Sequence, residues 1–279
     1  MRKRGQLFAR ALCASLPMWA ACAGVRPTTP PDVSEITSIE PPVAPVATAL
    51  PVREVPARSV RELGLPQDWK VLSDEAFDAT LAQWTKDGAS LRLSDTDLAE
   101  LGRALGASDA SSARAAVILG NTRDARAFEP LVQRLEARVP EGGRELSGDV
   151  VAAAACASVA PSRAALARVE ALAVGARPHP ALRVRVECAL TCLALGRTAV
   201  VPFLLDVLRE GTSAASKNTS WRRLDWTDEG TLRLQDRIGR AVSDAAGIEC
   251  LYRARGPLAV REREIARLAR HFQANPPAK

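Results

Sequence analysis

From Ser73 onward the apolar positions recur at helical spacing. Ser73-Asp74-Glu75 reads as a helix start, with a serine to cap it and acids facing the positive helix end. Phe77, Leu81 and Trp84 then follow at i, i+4, i+7. Ser94 to Asp97 is a second start of capping-box type, feeding Leu98, Leu101 and Leu105 until Gly106 stops the helix. The spacing predicts two antiparallel helices joined by a short loop, with helical patterning already under way near Val60. Further along, the pattern repeats. Shifted by 73 residues, Phe128, Leu131, Val132 and Leu135 fall on Val201, Leu204, Leu205 and Leu208. Each set is the i, i+3, i+4, i+7 stripe of one buried helix face. Ala115, Ala116 and Leu119 fall likewise on Cys188, Ala189 and Cys192. That shift spans two units of about 36 residues. Ala152, Ala153 and Cys156, then Ala165, Val169 and Leu172, mark the unit between, with Arg168 where a Leu is expected. Three units of helix, short turn and helix predict an all-α chain, a short α-solenoid of antiparallel helix pairs.

The run AAVILGNTRDARAFEPL, Ala115 to Leu131, resembles the HEAT repeat, in its bacterial form related to phycobilin-lyase repeats. The shared pattern is A-A-x-x-L-G, a turn with Asp and Arg, then A-V-x-P-L. The likeness is close in the first unit, looser from Arg183 to Leu208, and faint in the middle unit. It covers Ser108 to Glu210. The resemblance implies the fold and a habit of binding proteins, and no particular reaction. Beyond it, polar Gly211 to Ser220 leads into Trp221-Arg222-Arg223-Leu224-Asp225-Trp226. Leu234, Ile238, Ala241, Val242 and Ala245 form one further stripe, and Leu258, Ile265, Leu268, Ala269 and Phe272 another. They read as a degenerate last repeat, the polar cap that a repeat array needs.

The N-terminal end reads differently. A basic start precedes Leu7-Phe8-Ala9 and an apolar run from Ala11 to Ala21, broken only by Ser15 and Pro17. The run is too short to span a bilayer and reads as an export signal. Two cleavage sites compete. Ala20-Ala21-Cys22 resembles a bacterial lipobox, with Trp19 where Leu is usual, and would leave Cys22 lipidated. Ala21-Cys22-Ala23 would suit ordinary signal peptidase and leave Gly24 first. Eight prolines between Val25 and Pro56 then predict an extended, disordered tether. The expected organisation is a signal over 1–22, a linker over 23–58, a helical pair over 59–107, repeats over 108–210 and a cap over 211–279. The expected location is the periplasmic side of a membrane, the outer rather than the inner one.

Composition sharpens this only a little. Aromatics make up 4% of the chain, so its core must be built of small aliphatic side chains on close-packed helices. The net charge is +6, but Arg2, Lys3, Arg4 and Arg10 lie in the expected signal. The processed chain is near neutral, and nucleic acid is not an expected partner.

Chemistry is sparse. His179 and His271 are the two histidines, and neither has a metal-ligating neighbour at suitable spacing. No metal or cofactor is expected. The deoxyhypusine hydroxylases, iron enzymes on HEAT-type repeats, use His-Glu pairs that this chain lacks. Cys156, Cys188 and Cys192 fall on inward positions and read as reduced core thiols. A disulfide from Cys188 to Cys156 or Cys250 is the alternative that an oxidising compartment allows. The expected function is therefore a non-catalytic, monomeric interaction module that holds another protein, bound to a membrane only through its lipid. An enzyme or cofactor lyase on similar repeats is the alternative. The candidate contact residues are Glu129, Gln133, Arg134, Asp206 and Arg209 on the second helices. Trp221, Arg222, Arg223 and Trp226 join them, because Trp and Arg so often anchor protein contacts, the alternative being that the two tryptophans plug the end of the helical array.

Overall fold

The computed structural model describes residues 57–275 apart from 63–64, 66–67, 87–90, 108, 138–146, 163 and 211–228. The expected signal with Cys22, the proline-rich linker to Pro56, and the Trp221 to Trp226 segment lie outside the described residues, as does the side chain of Trp84. The described residues form ten α-helices and no strand. α1 spans Asp74–Lys86, α2 Asp95–Leu105, α3 Asp109–Thr122, α4 Phe128–Glu136 and α5 Ser147–Val159. α6 spans Leu166–Val174, α7 Leu182–Ala194, α8 Val201–Glu210, α9 Glu229–Ala246 and α10 Leu258–Ala274. One-turn 3₁₀ segments, Ala125–Ala127 and Thr198–Val200, lead into α4 and α8.

The helix starts read from the sequence are present. Ser73 Oγ accepts from the Ala76 N–H at 3.2 Å, and Ser94 Oγ from that of Asp97 at 3.2 Å. The chain before α1 departs from expectation. The described residues between 57 and 72 hold turns where helix was expected near Val60, and Val60, Leu65 and Trp69 among them are buried. Arg114 of α3, 6% exposed, ties this strap down. It donates to the carbonyl oxygens of Trp69 at 2.8 Å and Leu72 at 2.6 Å, and pairs with Asp74 at 2.8 Å. The expected antiparallel pair is also different in detail. α1 rests mainly on α3, and α2 on α3 and α4, across the boundary drawn near residue 108.

Two sets of helices follow one another. α3 packs on α5, α5 on α7 and α7 on α9; α2 packs on α4, α4 on α6, and α8 on α10. α4 also packs on α5, α6 on α7, and α8 on α9. The α3–α5 contact is the most intimate because small residues line it. A Cβ added at Gly120 would lie 2.9 Å from the Ala155 Cβ, and one at Gly148 would lie 2.6 Å from Ser112 Oγ. α5 is apolar nearly all round, as befits a helix enclosed between α3 and α7.

Three stripes turn out rotated from their sequence reading. In α6 the buried residues are Leu166, Val169, Leu172 and Ala173. Leu166, two positions before Arg168, supplies a buried leucine beside Val169 and Leu172, and Arg168 is left half-exposed. In α9, Ala245 is exposed, and Thr231, Gln235, Ile238, Gly239, Val242 and Ser243 face inward. Gly239 leaves room there for the fully buried Tyr252, whose Cδ1 would lie 2.8 Å from an added Cβ. On α10 Leu258 is 46% exposed, and burial falls on Glu264, Ile265 and Leu268.

Candidate functional site

The residues named as contacts divide sharply by environment. Glu129 and Gln133 of α4, and Asp206 and Arg209 of α8, are exposed. Gln133 Nε2 donates to Glu129 Oε1 at 2.8 Å, and Arg209 pairs with Asp206 at 2.7 Å, one turn away on the same helix. Both are solvent-exposed contacts within one helix, of little consequence for stability. Arg134 is different and requires a correction. Its side chain is 14% exposed and its Nε donates at 2.8 Å to Asp149, whose side chain is 4% exposed. The i, i+3, i+4 pattern marks Arg134 as a non-core position of α4. It cannot show that α5 packs over that side and brings a buried carboxylate to meet it.

Arg168, the residue that broke the middle repeat, takes a place on this surface. Its guanidinium spans from α6 to α4, bonding Glu129 at 2.7 Å and both oxygens of Glu136 at 2.9 and 2.6 Å. The hydrogen bonds that Arg168 donates to Glu136 and Glu129 raise its pKa, and the one accepted from Arg168 draws the Glu129 carboxyl below its usual range. A second bracket joins Arg197, just before the α8 turn, to Glu170 of α6. Neither bracket follows from periodicity. The out-of-pattern Arg168 was the one signal in the chain that pointed to them.

Asp124 and Arg126, in the turn between α3 and α4, have a defined task. Asp124 is 9% exposed, and its Oδ2 accepts from the Leu93 N–H at 3.0 Å. Its Oδ1 accepts from the Arg126 N–H at 3.0 Å, capping the 3₁₀ turn, and Arg126 Nη2 reaches Oδ2 at 2.7 Å. Arg126 also donates to the Leu93 carbonyl at 2.5 Å and to Asp95 at 2.6 Å. Burial by itself would push the Asp124 carboxyl up. The Arg126 side chain and the backbone N–H groups of Arg126 and Leu93 outweigh it and hold the pKa below the usual value. The motif locks the α3–α4 turn to the segment before α2.

His179 is buried in the loop between α6 and α7 and pins it. Its N–H donates to the Leu172 carbonyl at 2.8 Å, and its Nδ1 accepts from Ala181 at 3.1 Å. His271 stands edge-on to Phe272, with ring centroids 5.4 Å apart. Cys156, Cys188, Cys192 and Cys250 are all free thiols, so the alternative pairings of Cys188 do not occur. Burial pushes the thiols of Cys156 and Cys192 up to about 12, and that of Cys188 up as well. Thiols so disposed are poor nucleophiles. Among the described residues, no group of three His, Cys, Asp or Glu is placed to hold a metal ion, and no helix is long and apolar enough to cross a membrane. An open, mostly apolar depression lies where Ala160, Ser162, Leu166, Leu195 and Gly196 meet.

Compared with known proteins, the chain matches no family model, no curated protein and no solved structure.

Proposed function

We propose that this chain is a non-catalytic interaction module of the cell envelope, an α-solenoid of HEAT type that holds a partner protein. In the proposal a lipid on Cys22 and the proline-rich segment to Pro56 tether it to a membrane. The observation that carries the reading is the surface of the second helices. α4, α6 and α8 place Glu129, Gln133, Glu136, Arg168, Asp206 and Arg209 in exposed or half-buried positions, and Arg168 braces two of these helices. Charged side chains already held in place lose little conformational freedom when a partner docks. The repeated packing of α3, α5 and α7 supports the solenoid reading, since each unit buries the next. Trp221, Arg222, Arg223 and Trp226 form a second arm of the proposed contact, tested by replacing both tryptophans with Ala.

A photo-crosslinking side chain at Gln133 or Asp206, in the chain expressed in its native envelope, tests the surface. A discrete adduct is expected, and Arg209→Glu should reduce it at least tenfold without lowering the melting temperature. An adduct unaffected by Arg209→Glu moves the contact off α8; no adduct at either position overturns the proposal. For the tether, Cys22→Ala should release the protein from membranes, and mass spectrometry should find acyl groups on Cys22 of the wild type. A soluble wild type beginning at Gly24 refutes that part.

A further inference from the structure

Three residues stand at equivalent places in the first helices of the three units: Ser112 in α3, Asp149 in α5 and Arg185 in α7, separated by 37 and 36 residues. Each bonds back to the second helix of the preceding unit. Ser112 Oγ donates to the Leu105 carbonyl at the end of α2, at 2.9 Å. Asp149 accepts from Arg134 of α4 at 2.8 Å. Arg185 Nε donates to the Ala173 carbonyl near the end of α6, at 2.9 Å. In the first two units the linkage uses up the group. A hydroxyl has one hydrogen to give, and the carboxylate has its arginine. In the third unit the linking residue is itself an arginine, and the carbonyl takes one of its five N–H bonds.

The rest of Arg185 is held but not answered. Its Cζ lies 4.5 Å from the centroid of the Phe203 ring, so one face of the guanidinium is stacked. The side chain is half-buried, and burial draws its pKa down. Among the described residues no carboxylate pairs with it, and Nη1 and Nη2 carry no hydrogen bond. Its counterparts Arg126, Arg134, Arg168 and Arg197 each meet an acid. A desolvated cation with no counter-charge is costly, and a fork fixed by a carbonyl and a ring needs little ordering to bind.

We infer that the Arg185 fork, stacked on Phe203 and anchored to Ala173, is a binding site for a carboxylate of the partner protein. The free end of the fork offers two parallel N–H donors, which match the two oxygens of a carboxylate. One guanidinium suits one negative charge, whereas a phosphate dianion would call for more cations. The inference rests on the interaction-module reading for its biology, but its test does not. The carboxylate can come from an Asp or Glu side chain or from a chain terminus, and the two are separable by probe.

The test is titration of the ¹⁵N-labelled full chain, followed at the Arg185 Nε–Hε resonance in the wild type and at the backbone amides of Ala173 and Phe203 in wild type and variants alike. One probe is an acetylated, amidated pentapeptide with a single central Glu among glycines. The second is acetyl-tetraglycine with a free C-terminal carboxylate, and the third is inorganic phosphate. A saturable shift with a carboxylate probe is expected, weakened at least tenfold in Arg185→Gln. Arg185→Lys, which keeps the charge and a donor for Ala173 but loses the fork, should also bind less tightly. The stronger of the two carboxylate probes identifies the source. Equal affinity in wild type and Arg185→Lys, tighter binding of phosphate than of either carboxylate, or no saturable shift overturns the inference. The Gln133 adduct, measured in Arg185→Lys, reads the interaction module independently. If the adduct persists while the titrations fail, the Arg185 site falls and the module stands.

Discussion

Replacing Arg134 with Ala isolates the effect of one buried ion pair. The substitution strands the Asp149 carboxylate, 4% exposed, beneath α4. Breaking a buried pair by removing one partner costs about 3–5 kcal/mol. Here the cost is offset in part, because Asp149 lies in the first turn of α5, where the helix end favours a negative charge by about 0.3–1 kcal/mol. A net loss of about 2–4 kcal/mol follows, or a fall in melting temperature of about 5–12 °C for a chain of this size. Replacing both partners with apolar residues of similar volume, Arg134→Met with Asp149→Leu, should recover most of the loss, because no charge is left buried. Urea unfolding followed by far-ultraviolet circular dichroism measures the two singles and the double. A loss below about 0.5 kcal/mol in Arg134→Ala, the range of an ordinary surface position, would refute the burial argument. So would a double variant no more stable than the single.

Three further outcomes follow from particular contacts. Gly120→Ala should cost about 1–3 kcal/mol in the same assay, since the new Cβ would meet Ala155 at 2.9 Å and α3 and α5 must part. The folded pKa of Asp124 is lowered, so its contribution is complete above the unfolded value near 3.8 and is lost as pH falls through the lower folded pKa. Acid titration of stability should therefore show a loss below about pH 4 that is smaller in Asp124→Asn, and identical curves would remove Asp124 from the acid response. Cys156, Cys188 and Cys192 should resist an aromatic disulfide reagent at pH 8 in the native protein and react after unfolding, because burial holds all three as thiols. Labelling of any of them without unfolding would place it outside the core.

Sequence periodicity by itself determined the helices. Phe128, Leu131, Val132 and Leu135, with their counterparts 73 residues on, are buried as their spacing requires. An i, i+3, i+4, i+7 stripe leaves a helix one face to hide, and the serines at 73 and 94 cap as their chemistry dictates. The cysteines at inward positions are core thiols for the same reason. What the spacing could not carry is which helix covers which face. Arg134 reads as solvent-facing within α4 and becomes half of a buried pair only because α5 closes over it. Arg168 reads as an error in the repeat, yet α6 buries Leu166 beside Val169 and Leu172 and leaves Arg168 to reach Glu129 and Glu136. Arg185 shares its repeat position with a serine and an aspartate. Only the packing of α6, α7 and α8 shows that it keeps a carbonyl and a ring but no acid. A helix stripe depends on neighbours within two turns, which the chain itself specifies. An ion pair between helices depends on residues 15 to 39 positions apart, and only their tertiary packing brings those together.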